Sequence, residues 1–184
     1  MDISGDTLND LHQAVLRAKS GDRKAFDLLY TAYLTPVYRY IHIRVKNSQD
    51  TEDIVQETFL KAFQAIERYR DEKGSMLPYL FTIARNLLIN HGKKKRPDAF
   101  LPEEMDRFSD DNLASEGAVV RERKELLEQA MLVLTDVERE VIQLRFFGEQ
   151  TYTEIALVLG KREDAIRQHV ARALKKMKAT MKET

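Results

Sequence analysis

The sequence predicts an all-α protein built of two helical domains joined by a flexible acidic linker. Three observations lead there. Apolar residues recur at spacings of three and four along most of the chain, and no useful run alternates as a strand does. Gly and Pro are scarce, at 7 and 4 of 184 residues, while Ala, Leu, Lys and Glu, all good helix formers, are common. The helical pattern also lapses over 97–118, between Arg96 and Val119. That stretch holds Pro97, Pro102 and the acids Asp98, Glu103, Glu104, Asp106, Asp110, Asp111 and Glu116, opposed only by Arg107. It reads as a linker with little fixed structure, leaving domains at 1–96 and 119–184.

Hydrophobic residues make up 43% of the chain and charged residues 33%, enough apolar material for small cores under a wet surface. Lys plus Arg equals Asp plus Glu at 30 each, so only local charge asymmetry can point to partners. There is no Cys, which removes disulfides, thiolate zinc sites and cysteine nucleophiles together. No secretory signal and no apolar run of membrane-spanning length is present. The expectation is a soluble, cytoplasmic protein without membrane insertion. His12, His42, His91 and His169 are scattered, with no paired metal spacing, nucleophile motif or phosphate-cradling glycine loop beside them. No catalytic residue, cofactor or metal is therefore expected, and the chain reads as a non-enzyme.

The elements follow in order. A short helix covers Leu8 to Lys19, with Leu8, Leu11, Val15 and Leu16 on its inner face. Ser20-Gly21-Asp22 ends it and caps the next helix. That helix runs from Lys24 to Val45 on Phe26, Leu29, Tyr30, Tyr33, Val37, Tyr40 and Ile41, with Pro36 a candidate kink. After the capping-rich Asn47 to Asp50, a third helix spans Thr51 to Tyr69, burying Val55, Phe59, Ala62, Phe63 and Ile66. A break at Asp71 to Ser75 precedes a fourth helix from Pro78 to His91, with Leu80, Ile83, Ala84, Leu87 and Leu88 inward. It runs into the basic cluster Lys93 to Arg96. Beyond the linker, Leu126, Leu127, Ala130, Met131 and Leu134 form a stripe. Thr135 to Glu138 and Thr151 to Glu154 both have capping-box spacing, with Val141, Ile142, Leu144 and Phe146 in the helix between.

Thr151 to Lys176 reads as a helix-turn-helix. Ile155, Ala156 and Leu159 face inward on its first helix, and Gly160 stands where the turn needs positive φ. Ile166, Val170, Ala173, Leu174 and Met177 form the core stripe of the second. Arg167, Gln168, Ala171, Arg172 and Lys175 are then left outward, with Glu163 and Asp164 at the N-terminal end. Arg can pair with guanine edges and Gln with adenine edges in a major groove. From Lys161 onward basic residues outnumber acidic ones, which suits phosphate contact. A basic face of this kind also serves as the solvated side of an ordinary bundle, and the pattern alone leaves both open.

Leu134 to Lys176 resembles region four of the sigma-70 family, especially its extracytoplasmic-function (ECF) group. The likeness lies in Leu134-Thr135, Glu138 to Ile142, Leu144 to Phe147, Tyr152 to Ala156, Leu159-Gly160, Ile166, Val170 and Arg172 to Lys176. In the first half, Gly21 to Tyr30 is similar to the family's opening helix. Asp50 to Ala62 resembles region 2.2, which grips the polymerase clamp, and Tyr79 to Asn90 resembles region 2.4, which reads the minus-ten element. The resemblance implies a sigma factor that binds core RNA polymerase at its clamp and flap surfaces. Such a factor directs promoter recognition, DNA melting and initiation under an anti-sigma factor.

Residue by residue, the resemblance implies minus-35 contacts from Lys161, Arg162, Glu163, Arg167, Gln168, Ala171, Arg172 and Lys175. It implies minus-10 contacts from Ser75, Met76, Arg85, Asn86, Ile89, Asn90, Lys93 and Lys94. Polymerase contacts fall to Asp50, Glu52, Asp53, Gln56, Glu57, Leu60 and Lys61. The loop Asp71 to Met76 takes the place of the family's base-capturing loop. Tyr69, Tyr79 and Phe81 lie near enough to help hold an extruded base, although helically spaced aromatics are more often core. Tyr79 also stands where the family usually has Trp, and Glu163-Asp164-Ala165 and His169 depart from the usual recognition helix. The competing classes are a helix-turn-helix repressor or activator that binds a duplex operator alone, and an enzyme. Neither a ligand-pocket signature nor a catalytic constellation supports them.

Overall fold

The computed structural model describes residues 5–45, 47–70, 75–95 and 118–182. Its described residues are helical, without strands, in the order α1 (Gly5–Lys19), α2 (Arg23–Val45), α3 (Ser48–Gln64), a 3₁₀ turn (Ile66–Arg68), α4 (Leu77–Lys95), α5 (Ala118–Leu132), α6 (Asp136–Ile142), a π-helical turn (Gln143–Phe147), α7 (Tyr152–Leu159) and α8 (Glu163–Thr180). The chain groups into two compact units, residues 1–105 and 106–184. The expected linker at 97–118 lies outside the described residues but for Ala118, as do Asp71 to Gly74 and Arg96.

In the first unit α2 packs against α1, α3 and α4, and α3 against α4. α1 ends where Gly21 takes φ 89°, and the Asp22 N–H bonds the Arg17 carbonyl at 3.1 Å. This left-handed cap satisfies carbonyls the helix leaves open. Asp22 then caps α2, its Oδ1 accepting the Lys24 and Ala25 N–H groups at 3.0 and 3.3 Å. The Arg17 hydrogen bond, then that from the Ala25 N–H, holds the Asp22 carboxyl below its ordinary pKa. The core gathers Leu29, Tyr33, Val37, Tyr40, Ile41, Val55, Phe59, Leu80, Phe81 and Ala84, with the Tyr40 and Phe81 rings edge to face at 5.0 Å. Phe26 and Tyr30 lie at its border, edge to face with Phe63 and Phe59 at 4.8 and 4.6 Å. α2 runs unbroken through Pro36.

Some expected inward residues turn out. Leu16 is 44% exposed because it sits about 140° around the helix from Leu11. Phe63 is also partly exposed, with the Phe26 ring edge to face against it. α3 stops at Gln64 rather than Tyr69, tightening into the 3₁₀ turn.

The second unit folds around α8, which packs on α5, α6 and α7. Both predicted capping boxes form, Thr135 with Glu138 and Thr151 with Glu154. The Arg139 guanidinium donates to the Met131 and Leu134 carbonyls at 3.3 and 3.0 Å, satisfying the end of α5. The core holds Ala130, Met131, Leu134, Val141, Ile142, Leu144, Ile155, Val158, Ile166, Val170, Ala173 and Met177. Leu174 is 43% exposed, contrary to expectation. It lies about 80° from Ile166 around α8, outside the arc its neighbours cover. Val158 is buried, while Ala156 and Leu159, expected inward, are half-buried.

Candidate nucleic-acid interface

Gly160 sets the recognition geometry. It takes φ 60°, ψ 37° after α7, and the Lys161 N–H reaches back to the Ala156 carbonyl at 3.0 Å. A residue with φ in this range ends one helix and redirects the chain within a few residues, so α8 starts at Glu163. With Ile166, Val170, Ala173 and Met177 buried, Arg167, Gln168, Ala171, Arg172 and Lys175 are exposed, as are Lys161 and Arg162 beside the turn. The structure therefore brings all but one of the predicted contacts together as exposed groups. Glu163 is half-buried: its Oε2 accepts the Thr153 hydroxyl at 2.6 Å and its Oε1 the Arg167 Nη2 at 2.6 Å. Arg162 pairs with Asp164 at 3.2 Å.

Two groups near this face, Tyr152 and Arg145, lie in the segments that resemble the family but were given no contact from sequence. The Arg167 guanidinium lies 4.6 Å, and that of Arg145 5.2 Å, from the centroid of the Tyr152 ring. Arg145 also donates to the Gln150 carbonyl at 2.9 Å. The resemblance includes Arg145, but its side-chain contacts depend on how the π turn winds. His169 is half-buried. Burial first, then the charges of Arg172 and Lys161, push its pKa down from its ordinary value.

On α4, Asn86, Ile89 and Asn90 are exposed and Arg85 is half-buried. Lys93 and Lys94 continue the helix, and only their backbone is described. Ser75 is half-buried: its Oγ accepts the Leu77 N–H at 3.3 Å and its carbonyl the Tyr69 hydroxyl at 3.2 Å. Met76 is a correction. It is 2% exposed and belongs to the core; its long apolar side chain gains more from packing than from water. Phe81 is wholly buried, so it cannot receive a base. Tyr79 remains half-buried, tilted against Tyr69 at 4.9 Å, and burial raises its pKa.

On α3, Glu52, Asp53, Gln56, Glu57, Leu60 and Lys61 are all exposed, with Leu60 at 55%. Lys61 pairs with Glu57 at 3.4 Å. Asp50 is half-buried and turned to His91, 3.7 Å away.

Residues 29–97 match the model of sigma-70 region 2, and residues 130–179 match that of sigma-70 region 4. The chain belongs to the sigma-70 family. Among the relatives of this sigma-70 chain, the ECF RNA polymerase sigma factor BldN of Streptomyces coelicolor is 32% identical over 165 residues, covering 89% of this chain and 62% of BldN. The ECF RNA polymerase sigma factor SigM of Bacillus subtilis is 29% identical over 153 residues, covering 83% of this chain and 93% of SigM. This chain thus spans about three-fifths of the first relative and nearly all of the second. The fold is that of CnrH, solved with the cytosolic domain of CnrY, at a TM-score of 0.70 and 20% identity over 95% of this chain and 98% of that one. RpoE of Bartonella quintana, solved with the anti-sigma factor NepR, gives 0.67 at 20% identity over 86% of this chain and 98% of that one.

Proposed function

We propose that this chain is an ECF sigma factor that binds core RNA polymerase and directs promoter recognition, melting and initiation. One observation carries the reading most directly. Arg167, Gln168, Ala171, Arg172 and Lys175 are exposed on α8, while Ile166, Val170, Ala173 and Met177 on its other side are buried. A helix held this way enters a major groove side-on, with its N-terminal residues toward base edges. Around it, residues 119–184 act as the minus-35 unit and residues 1–96 as the polymerase and minus-10 unit, with 97–118 as the acidic connection.

Within the first unit, the exposed α3 face from Glu52 to Lys61 meets the polymerase, with Leu60 as its apolar anchor. Asp50 serves this face by shaping the start of α3. Asn86, Ile89 and Asn90 on α4, with Arg85, Lys93 and Lys94, face the minus-10 DNA. Ser75 and Tyr79 border the loop that receives an extruded base. RNA synthesis belongs to the polymerase, and the chain supplies binding and positioning in the cytoplasm. Two structural neighbours were solved with CnrY and with the anti-sigma factor NepR, and a protein of that kind covers these surfaces here when the factor is idle.

The test is to mix the purified chain with bacterial core polymerase and a library of duplex promoter fragments, then map transcript starts. Defined starts that need the chain and share two upstream elements at fixed spacing are expected. A chain that does not bind core and gives no starts, but protects a duplex operator alone, would overturn the reading.

A further inference from the structure

The first turn of α8 contains a carboxylate on the face proposed to meet DNA. Glu163 stands at the start of α8, where the helix dipole favours an acid, and its side chain is bonded on both sides. Both of its oxygens are engaged. Oε2 accepts the Thr153 hydroxyl of α7 at 2.6 Å. Oε1 accepts both Nε and Nη2 of Arg167, at 3.1 and 2.6 Å. The carboxylate is thus held from the neighbouring helix on one side and holds the guanidinium on the other. The Tyr152 ring, 4.6 Å from the guanidinium carbon, supplies a shelf for its flat face.

The geometry has a consequence for what Arg167 can do. A guanidinium has five N–H donors in a planar fork. Glu163 takes the Nε–Nη2 side edge. The terminal edge, Nη1 with the second Nη2 hydrogen, has no partner among the described residues. That end-on edge can pair bidentately with guanine O6 and N7. The adjacent carboxylate also offsets the charge of Arg167, which weakens its attraction for phosphate while keeping its directional donors.

We propose that Glu163 is a positioning residue for promoter specificity: anchored by Thr153, it presents the Arg167 guanidinium end-on to a guanine of the minus-35 element. The sequence positions of Glu163 and Arg167, four apart on a helix, permit the pair. Thr153 and Tyr152 on α7 fix its direction. Glu163 itself reads no base, because its oxygens are already committed. The inference rests on the sigma reading above and deepens it.

The experiment uses the full chain with core polymerase on promoters randomised across the minus-35 element, comparing wild type with R167A, E163A, E163Q and T153V. Wild type is expected to prefer guanine at one position by about ten- to a hundredfold, the range of one bidentate Arg–guanine contact. R167A abolishes that preference, and E163A lowers it at the same position by roughly tenfold. E163Q keeps most of it, since the amide oxygen still accepts from Arg167 while the Thr153 hydroxyl turns to accept from the amide N–H. T153V gives an intermediate loss. In the E163A/R167A double variant the two losses do not add. Thermal unfolding monitored by circular dichroism separates these effects from misfolding, and T153V alone tests the anchor should E163A fail to fold.

An E163A profile with the guanine preference intact, or lowered equally for every sequence, would overturn the inference. So would a change at a position different from that of R167A, which would make Glu163 a base reader. Wild type giving no minus-35 dependence at all would instead overturn the sigma reading beneath it.

Discussion

Glu138 places a charge in the interior of the second unit. It is 4% exposed, and its Oε2 accepts from Lys176 Nζ at 2.6 Å and from the Thr135 N–H and hydroxyl at 3.0 Å. The Lys176 bond, then the Thr135 N–H, brings its pKa down from 4.5 to about 2. A carboxylate with a lowered folded pKa stabilises the fold fully above its unfolded value and loses that contribution as pH falls. The loss belongs to the window from about 4.5 down to about 2. His169 acts in a higher window. Its folded pKa lies below 6.5, so the unfolded chain takes up the proton first, and stability falls as pH drops through 6.5. The unfolding midpoint of the second unit should therefore fall in two stages on acidification. Glu138→Gln should remove the lower stage and cost about 1–3 kcal/mol at pH 7, while His169→Gln should flatten the upper one. Urea titrations of the two variants at stepped pH would check both, and a Glu138→Gln chain with an unchanged acid profile would refute the assignment.

At the level of elements, both turn glycines and both capping boxes could be read from sequence, because each depends on local backbone chemistry. At Gly160 a Cβ would meet nothing within 4 Å, so substitution there is resisted only by the left-handed backbone. Gly160→Ala should cost about 1–2 kcal/mol and Gly160→Asn less, as thermal melts would report. The helix faces were also readable where the apolar stripe was narrow, as on α3 and the outer side of α8. The failures share one origin. Leu16, Phe63 and Leu174 sit at the margin of a stripe, where burial is decided by which neighbouring helix covers them, and the chain's own periodicity does not contain that. The Tyr152–Arg167–Glu163–Thr153 cluster was unreadable for a similar reason, since it joins two helices across a turn. On α3, Leu60→Ala should weaken core polymerase binding roughly five- to thirtyfold. The same change should alter stability by no more than about 0.5 kcal/mol, because the side chain is already in water. A fluorescence-labelled core titration would measure it, and equal affinity would remove Leu60 as an anchor.

At the scale of the whole molecule, the chain carries two separate cores, one in residues 1–105 and one in 106–184. Unfolding should then show two transitions, and a core change should move only its own. Phe81→Ala, which empties a fully buried ring site against Tyr40, should lower the transition of the first unit by about 3–5 kcal/mol. Glu138→Gln should lower only that of the second. A single transition shifted by both would contradict independent folding. The shelf beneath Arg167 has a consequence for observing this molecule at work. The chain has no Trp, and of its seven tyrosines Tyr152 alone lies beyond residue 105. Uniform fluorotyrosine labelling would therefore give the second unit a single fluorine resonance, seated 4.6 Å from the Arg167 guanidinium. That one signal would register the arrival of DNA or of a covering protein on α8 in solution, without any engineered probe.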